Sequence, residues 1–374
     1  MDKNINRHMK ISSRVSCLLA VVVLALAKPV ASGATELKDL EYRDARSLQI
    51  TGMAYDTPIA EYSRLPEQLR GEFREQLLSL GVNSAGIAVR FSSDSPVIAA
   101  RWRVRNNFSM NHMPDTGIRG LDLYVRDGKK WKYIGTAKPG AKESVSAFIK
   151  NGDRVMREYI AYLPLYDGVE SLEIGVEPGA RLGKPLNPAL TSSGERRPVI
   201  FYGTSITQGG CASRPGMAYP AILGRMLDRE TINLGFSGNA RMDKAIAKAI
   251  NMVDFHTLVL DCLPNMTAQM VRDSAEYFIR TIISANPGKN FVMVENPAFP
   301  QLLLDSKTAA DIKEENDVWR SLYNKFRKEG YINIKYVRGE GLIGDDNEAT
   351  VDGVHLTDLG FLRFSETLVK YLKP

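Results

Sequence analysis

Asp352 and His355 lie three residues apart in Asp352-Gly353-Val354-His355, near the C-terminus. A serine that could use them sits far upstream, in Tyr202-Gly203-Thr204-Ser205-Ile206-Thr207. A serine hydroxyl is a poor nucleophile until a base takes its proton; histidine is the usual base, and a carboxylate holds it in the right tautomer. The three-residue spacing lets a single loop present base and orienting carboxylate together. Elimination favours His355 as the base. The chain has four histidines, of which His8 falls in the N-terminal leader and His256 opens a core strand. His112 lies in a Met-rich loop of the other half that could reach over the site, although packing between the halves is the favoured reading. Ser205 taken singly reads as well as a helix N-cap after a glycine turn, and Asp352 as a loop carboxylate near a helix start. The set, in the chain order Ser, Asp, His, predicts a serine esterase.

The elements around these residues must bring them together. From Pro198 onward strands and helices alternate. Strands are predicted at 198–202, 231–234, 257–261, 291–295 and 332–337, with helices at 217–229, 240–253, 267–285, 309–328 and 357–372. Such alternation predicts a parallel sheet covered on both faces, with the ligand site beyond the C-terminal strand ends. Ser205, Gly238 and Asn265 each follow a predicted strand, and Asp352 and His355 fall in the loop after the last one. Residues 34–190 read differently. Runs at 84–91, 97–104, 120–126, 131–134, 159–165 and 169–176, with the tight-turn pair Asp127-Gly128, have almost no helical period. They predict an all-β sandwich of jelly-roll type. Gly179–Arg197, rich in Gly, Pro and Ser, is the expected linker to a second domain over 191–374.

Residues 1–33 read as a secretory signal peptide. Lys3, Arg7, Lys10 and Arg14 precede the apolar run Cys17–Ala27, which is too short to span a bilayer, and small residues follow at Ala31-Ser32-Gly33. The expected location is periplasmic or extracellular, with no stable membrane insertion after cleavage. This leader holds five basic residues and one acidic residue, so it accounts for +4 of the chain's formal +6. The remainder is close to neutral and has no dense basic run with interleaved aromatics, which excludes a nucleic-acid partner. Cys211 and Cys262 remain after the leader. Both flank the candidate site, so a disulfide and two buried thiols stand as even alternatives. With no paired-His or CxxC spacing, no HExxH and no GxxxxGK[ST], neither a metal nor a cofactor is expected. Arg214 could bind substrate or be a solvated loop charge.

Four ordered blocks in residues 198–372 resemble the SGNH, or GDSL-type, hydrolase family. They are Gly203-Thr204-Ser205-Ile206-Thr207, Asn233-Leu234-Gly235-Phe236-Ser237-Gly238-Asn239, Leu263-Pro264-Asn265-Met266 and Asp352-Gly353-Val354-His355. Two blocks depart from the family pattern: Thr204 stands where Asp is commonest, and Leu263 and Met266 replace the Gly and Asp of GxND. The resemblance implies a flavodoxin-like α/β fold. It also implies that Ser205 is the nucleophile, that Asp352 and His355 activate it, and that Gly238, Asn265 and the Ser205 amide form an oxyanion hole. The N-terminal half, with Gly120-Leu121-Asp122-Leu123-Tyr124, resembles the β-sandwich module preceding some of these hydrolases in bacterial polysaccharide-degrading systems. The substrates so implied are acylated, chiefly acetylated, oligo- or polysaccharides. A lipase or thioesterase on acyl lipids, or a glycan-binding protein with an inactive hydrolase domain, are the alternatives.

Overall fold

The computed structural model describes residues 36–150, 152–187 and 197–373. The leader and residues 188–196 of the Gly/Pro/Ser-rich linker lie outside these residues. Two antiparallel sheets form the N-terminal half. One runs in the order β1 (Glu41–Asp44), β9 (Val169–Val176), β4 (Ile98–Val104), β7 (Glu143–Ile149). The other runs β10 (Leu182–Gly183), β3 (Ala88–Ser93), β8 (Arg157–Tyr162), β5 (Leu121–Asp127), β6 (Lys130–Ala137), with β2 (Gln49–Thr51) also on β3. Val89, Phe91, Leu121 and Leu123 of the second sheet share one core with Ile98, Ala100, Trp102 and Ile174 of the first, so the sheets pack face to face as a sandwich. The Asp127-Gly128 pair sits at the β5–β6 hairpin, with Gly128 at φ +58°. β7 escapes a hydrophobicity reading because Ser144 and Ser146 dilute the pattern of an edge strand.

The N-terminal half is not β throughout. Between β2 and β3 the chain forms a short helix, α1 (Glu75–Gly81), preceded by 3-10 turns. Tyr55, Ile59, Leu65, Phe73 and Leu77 of this stretch belong to a core shared with Ile200, Tyr202, Leu258 and Phe278 of the second half. A helix of seven residues is too short for its period to stand out. A further single turn, α2 (Asp115–Ile118), precedes β5.

The second half is a five-stranded parallel sheet in the order β12 (Thr231–Gly235), β11 (Val199–Gly203), β13 (Thr257–Asp261), β14 (Asn290–Val294), β15 (Ile334–Val337). Numbered within the half this is 2-1-3-4-5, a doubly wound order. Its helices are α3 (Ser205–Gln208), α4 (Tyr219–Leu227), α5 (Lys244–Asn251), α6 (Ala268–Ala285), α7 (Ser306–Lys328) and α8 (Asp358–Leu372). The period-two alternation of each strand sorts side chains to opposite faces. Ile200 and Tyr202 of β11 enter the core with α5, α6 and α7. Val199 and Phe201 enter the core with α4 and α8. Sheet burial on both faces explains the unbroken apolar strands.

Candidate active site

Ser205 is the first residue of α3, directly after β11. Thr204 caps that helix: its side chain accepts the Ile206 N–H at 3.2 Å. The departure from the commoner Asp therefore keeps the cap, since either side chain supplies the acceptor. His355 Nε2 lies 2.9 Å from Ser205 Oγ, and His355 Nδ1 lies 2.7 Å from Asp352 Oδ2. The other Asp352 oxygen accepts the backbone N–H groups of Val354 at 3.1 Å and His355 at 2.8 Å. Burial works against the Asp352 charge, but the ring hydrogen bond and the two amides outweigh it and hold the carboxyl at about 2. An ionised carboxylate fixes the His355 tautomer with its proton on Nδ1, which leaves Nε2 as the acceptor facing the serine. Gly210 lets the ring come this close, since a Cβ there would stand 3.0 Å from His355 Cδ2 and 2.8 Å from the Tyr166 hydroxyl.

The other blocks are tied to this chain of hydrogen bonds. Phe236 N–H donates to Gly203 O at 2.8 Å, Asn233 Nδ2 to Thr207 O at 2.7 Å and Ser237 N–H to Gln208 Oε1 at 3.0 Å. Gly238 adopts φ +68°, and nothing lies within 4 Å of a Cβ built there, so glycine answers a backbone need and not a shortage of space. Asn265 ends a 3-10 turn after β13. Its Oδ1 accepts the Ala240 N–H at 3.3 Å, which commits the oxygen end of the amide and leaves the NH2 end as donor. Beneath the serine, buried Asp261 accepts hydrogen bonds from Thr207 Oγ1 at 2.9 Å and Tyr219 Oη at 3.1 Å.

The N-terminal half supplies groups that sequence reasoning did not find. Arg64, 1% exposed, donates to the carbonyls of Leu80, Asn83, Asn233 and Gly235, and lies over the Phe236 ring. It pins the loop that carries Gly238. A single arginine in an irregular stretch has no spacing to betray it. The Tyr166 hydroxyl reaches Ser205 O at 3.5 Å. The His112 ring sits 5.8 Å, centroid to centroid, from that of His355, so it stands beside the base and does not merely pack between the halves. Arg214 is not a solvated charge: it donates to Asp122 Oδ2 at 2.6 Å and to the Tyr124 hydroxyl. The Asp and Tyr of the Gly120–Tyr124 signature are therefore a joint to the loop after Ser205. Cys211 and Cys262 are both buried free thiols. They lie in different cores, Cys262 with Tyr202 and Cys211 with Phe201, and the parallel sheet between those cores keeps them from pairing.

The arrangement can pass a proton from a hydroxyl to an imidazole backed by a carboxylate. Known proteins share this framework. The family model for GDSL-like lipases/acylhydrolases matches residues 196–373, and that for the N-terminus of SGNH-hydrolase-type esterases matches 40–182. No curated protein sequence matches the chain. A structure from Bacteroides ovatus described as a GDSL-like lipase is 32% identical, with 89% of this chain and 98% of that one covered and a TM-score of 0.83. A salicylyl-acyltransferase from a tetracycline biosynthetic pathway is 17% identical, over 90% and 97% of the two chains, with a TM-score of 0.72. An acetyl xylan esterase from the rumen bacterium Butyrivibrio proteoclasticus is 11% identical, over 89% and 98%, with a TM-score of 0.55; these last two likenesses are of fold. The chain thus belongs to the GDSL-like lipase/acylhydrolase family, as a hydrolase with the N-terminal region of the SGNH-type esterases.

Proposed function

We propose that the protein is an exported serine esterase that removes short acyl groups, acetyl above all, from glycans. The observation that carries this is the 2.9 Å contact of His355 Nε2 with Ser205 Oγ, backed by Asp352. Ser205 Oγ attacks the acyl carbonyl carbon while His355 Nε2 takes its proton. The oxyanion gathers on the N–H groups of Ser205 and Gly238 and on Asn265 Nδ2. Collapse expels the sugar hydroxyl, which takes the proton back from His355, and water repeats the sequence on the acyl-serine.

A sugar substrate is supported by a cleft along the Gly238 loop. About 570 Å³ in volume, it is bordered by Ser237 and Asn239 on either side of Gly238, by Tyr166, and by Glu75, Gln76 and Phe108 of the N-terminal half. Aromatic faces with carboxylate and amide groups suit the C–H faces and hydroxyls of a sugar, whereas an acyl-lipid site is chiefly apolar. The acetyl xylan esterase with the same fold points the same way. In this reading residues 1–33 are cleaved on export to the periplasm or beyond. A jelly-roll-like domain of residues 34–190 then walls the cleft of the hydrolase domain over 191–374. N-terminal sequencing of the exported protein tests the cleavage.

The test of function is acetate release from a panel of acetylated glycans, with p-nitrophenyl esters of short and long acyl chains in parallel. Ser205→Ala and His355→Ala should each lower turnover by at least about 10³-fold with an unchanged melting temperature. Near-normal turnover by Ser205→Ala would remove the mechanism, and a preference for long chains would move the substrate to lipids.

A further inference from the structure

Three loops that meet at the Ser205 site bring together two imidazoles, a thiol and a carboxylate. We propose that His112, Cys211, Asp352 and His355 form a binding site for a divalent cation of the zinc class, and that its occupancy switches the hydrolase off. The switching rests on the function proposed above; the binding does not.

One ligand atom from each of the four residues lies within 4.8 Å of the others. Tetrahedral zinc, with bonds of about 2.0–2.3 Å, sets its ligands roughly 3.3–3.8 Å apart. The widest pair would have to close by roughly 1–1.5 Å. A mixed nitrogen and sulfur set suits zinc and its neighbours and does not suit magnesium or calcium, which take oxygen.

The frame that holds these ligands is already built. Thr116 Oγ1 donates to Ser213 O at 2.6 Å, and Gly117 abuts Ala212 so closely that a Cβ would stand 2.2 Å from its carbonyl oxygen. The loop bearing His112 is thereby fastened to the loop bearing Cys211. Ser213 N–H in turn donates to Asp358 Oδ1 at 2.9 Å, which ties the second loop to the helix just after His355. Cys211 itself sits at φ +71°, directly after two glycines. A non-glycine residue in that region is strained, and such strain persists where the side chain is needed. Its thiol is buried.

On binding, the Cys211 thiol releases its proton to solvent as the sulfur–metal bond forms. Thiolate and carboxylate together then balance the dication. Either ring nitrogen of His355 serves the metal at the cost of the site. Ligation through Nε2 removes the acceptor for the Ser205 proton, and ligation through Nδ1 displaces Asp352 from the ring.

The experiment titrates the purified full chain with zinc(II) while following p-nitrophenyl acetate hydrolysis, and separately with cobalt(II) while recording absorption. Wild type should lose turnover as zinc is added, regain it with a chelator, and show a thiolate-to-cobalt charge-transfer band. Cys211→Ser should abolish the band. Cys211→Ser and His112→Gln should each need at least about tenfold more zinc for the same inhibition, with zinc-free turnover and melting temperature close to wild type. Equal zinc sensitivity in all three proteins, or a wild type without the thiolate band, would overturn the site. A cobalt band in a protein that hydrolyses no ester would keep the binding site and sink the function assigned above.

Discussion

The Asp122 carboxylate of the sandwich is fully buried and accepts Arg214 Nη1 at 2.6 Å and the Gly216 N–H at 3.0 Å, so one side chain fastens the loop that follows Ser205. Removing one member of a buried pair strands the other, while removing both does not. Asp122→Ala should destabilise by ~3–5 kcal/mol in urea unfolding, and the Asp122→Ala/Arg214→Ala double variant by less than the sum of the two singles. Additive losses would show that the pair does not act as a unit.

Asn265 should act on turnover and not on substrate affinity. Its NH2 end is left as donor by the Ala240–Asn265 hydrogen bond, and an oxyanion contact strengthens only in the transition state. Asn265→Ala should lower kcat by about 10²–10³-fold with KM little changed, and Asn265→Asp should do at least as much damage. The check is kcat per active site titrated with a covalent inhibitor. A kcat close to wild type would leave the Gly238 and Ser205 amides as the only donors.

Asp261 should make stability depend on pH. Burial raises its carboxyl to about 7 from an ordinary 3.8, against the opposing hydrogen bonds of Thr207 and Tyr219, and its Oδ1 has no partner among the described residues. The folded state therefore keeps a proton that the unfolded chain has lost. Stability should fall as pH rises from about 4 to about 7 and level off above that. Asp261→Asn has no proton to lose and should flatten that slope, gaining on wild type as pH rises. Parallel curves of urea midpoint against pH would exclude the effect.

The hydrolase half should not fold alone. A chain starting at residue 191 lacks Tyr55, Ile59, Leu65, Phe73 and Leu77, which cover Ile200, Tyr202 and neighbours. Losing five buried apolar side chains forfeits roughly 10 kcal/mol, as much as a whole domain's net stability. The fragment should lack near-ultraviolet circular dichroism and hydrolyse neither polymeric nor small esters. A folded fragment active on p-nitrophenyl acetate would show that the shared core is dispensable.

The parallel half was legible because buried strands and amphipathic helices carry periods that survive in a single sequence. Ser205, Asp352 and His355 were found because chemistry restricts residue type and spacing, and the structure brings them to within hydrogen-bonding distance. The helix predicted from Ala240 begins at Lys244, since Asn239–Asp243 forms the loop that meets Arg74 and Asn265. Arg64 and Tyr166 were illegible as site residues, because each acts through a contact between segments far apart in the chain, and the same separation hid how near the His112 ring comes to that of His355. Asp122 and Tyr124 stood in plain view as a signature, but their purpose became readable only with Arg214 opposite them.

The core joining Tyr55–Leu77 to the parallel sheet has a consequence for how the molecule comes into being. During synthesis that stretch leaves the ribosome well before any strand it covers. The nascent first half therefore carries on this stretch an apolar surface with no partner until the sheet emerges. The two halves should then acquire their structure in one cooperative event, late in the chain's production, and lose it in one transition on heating.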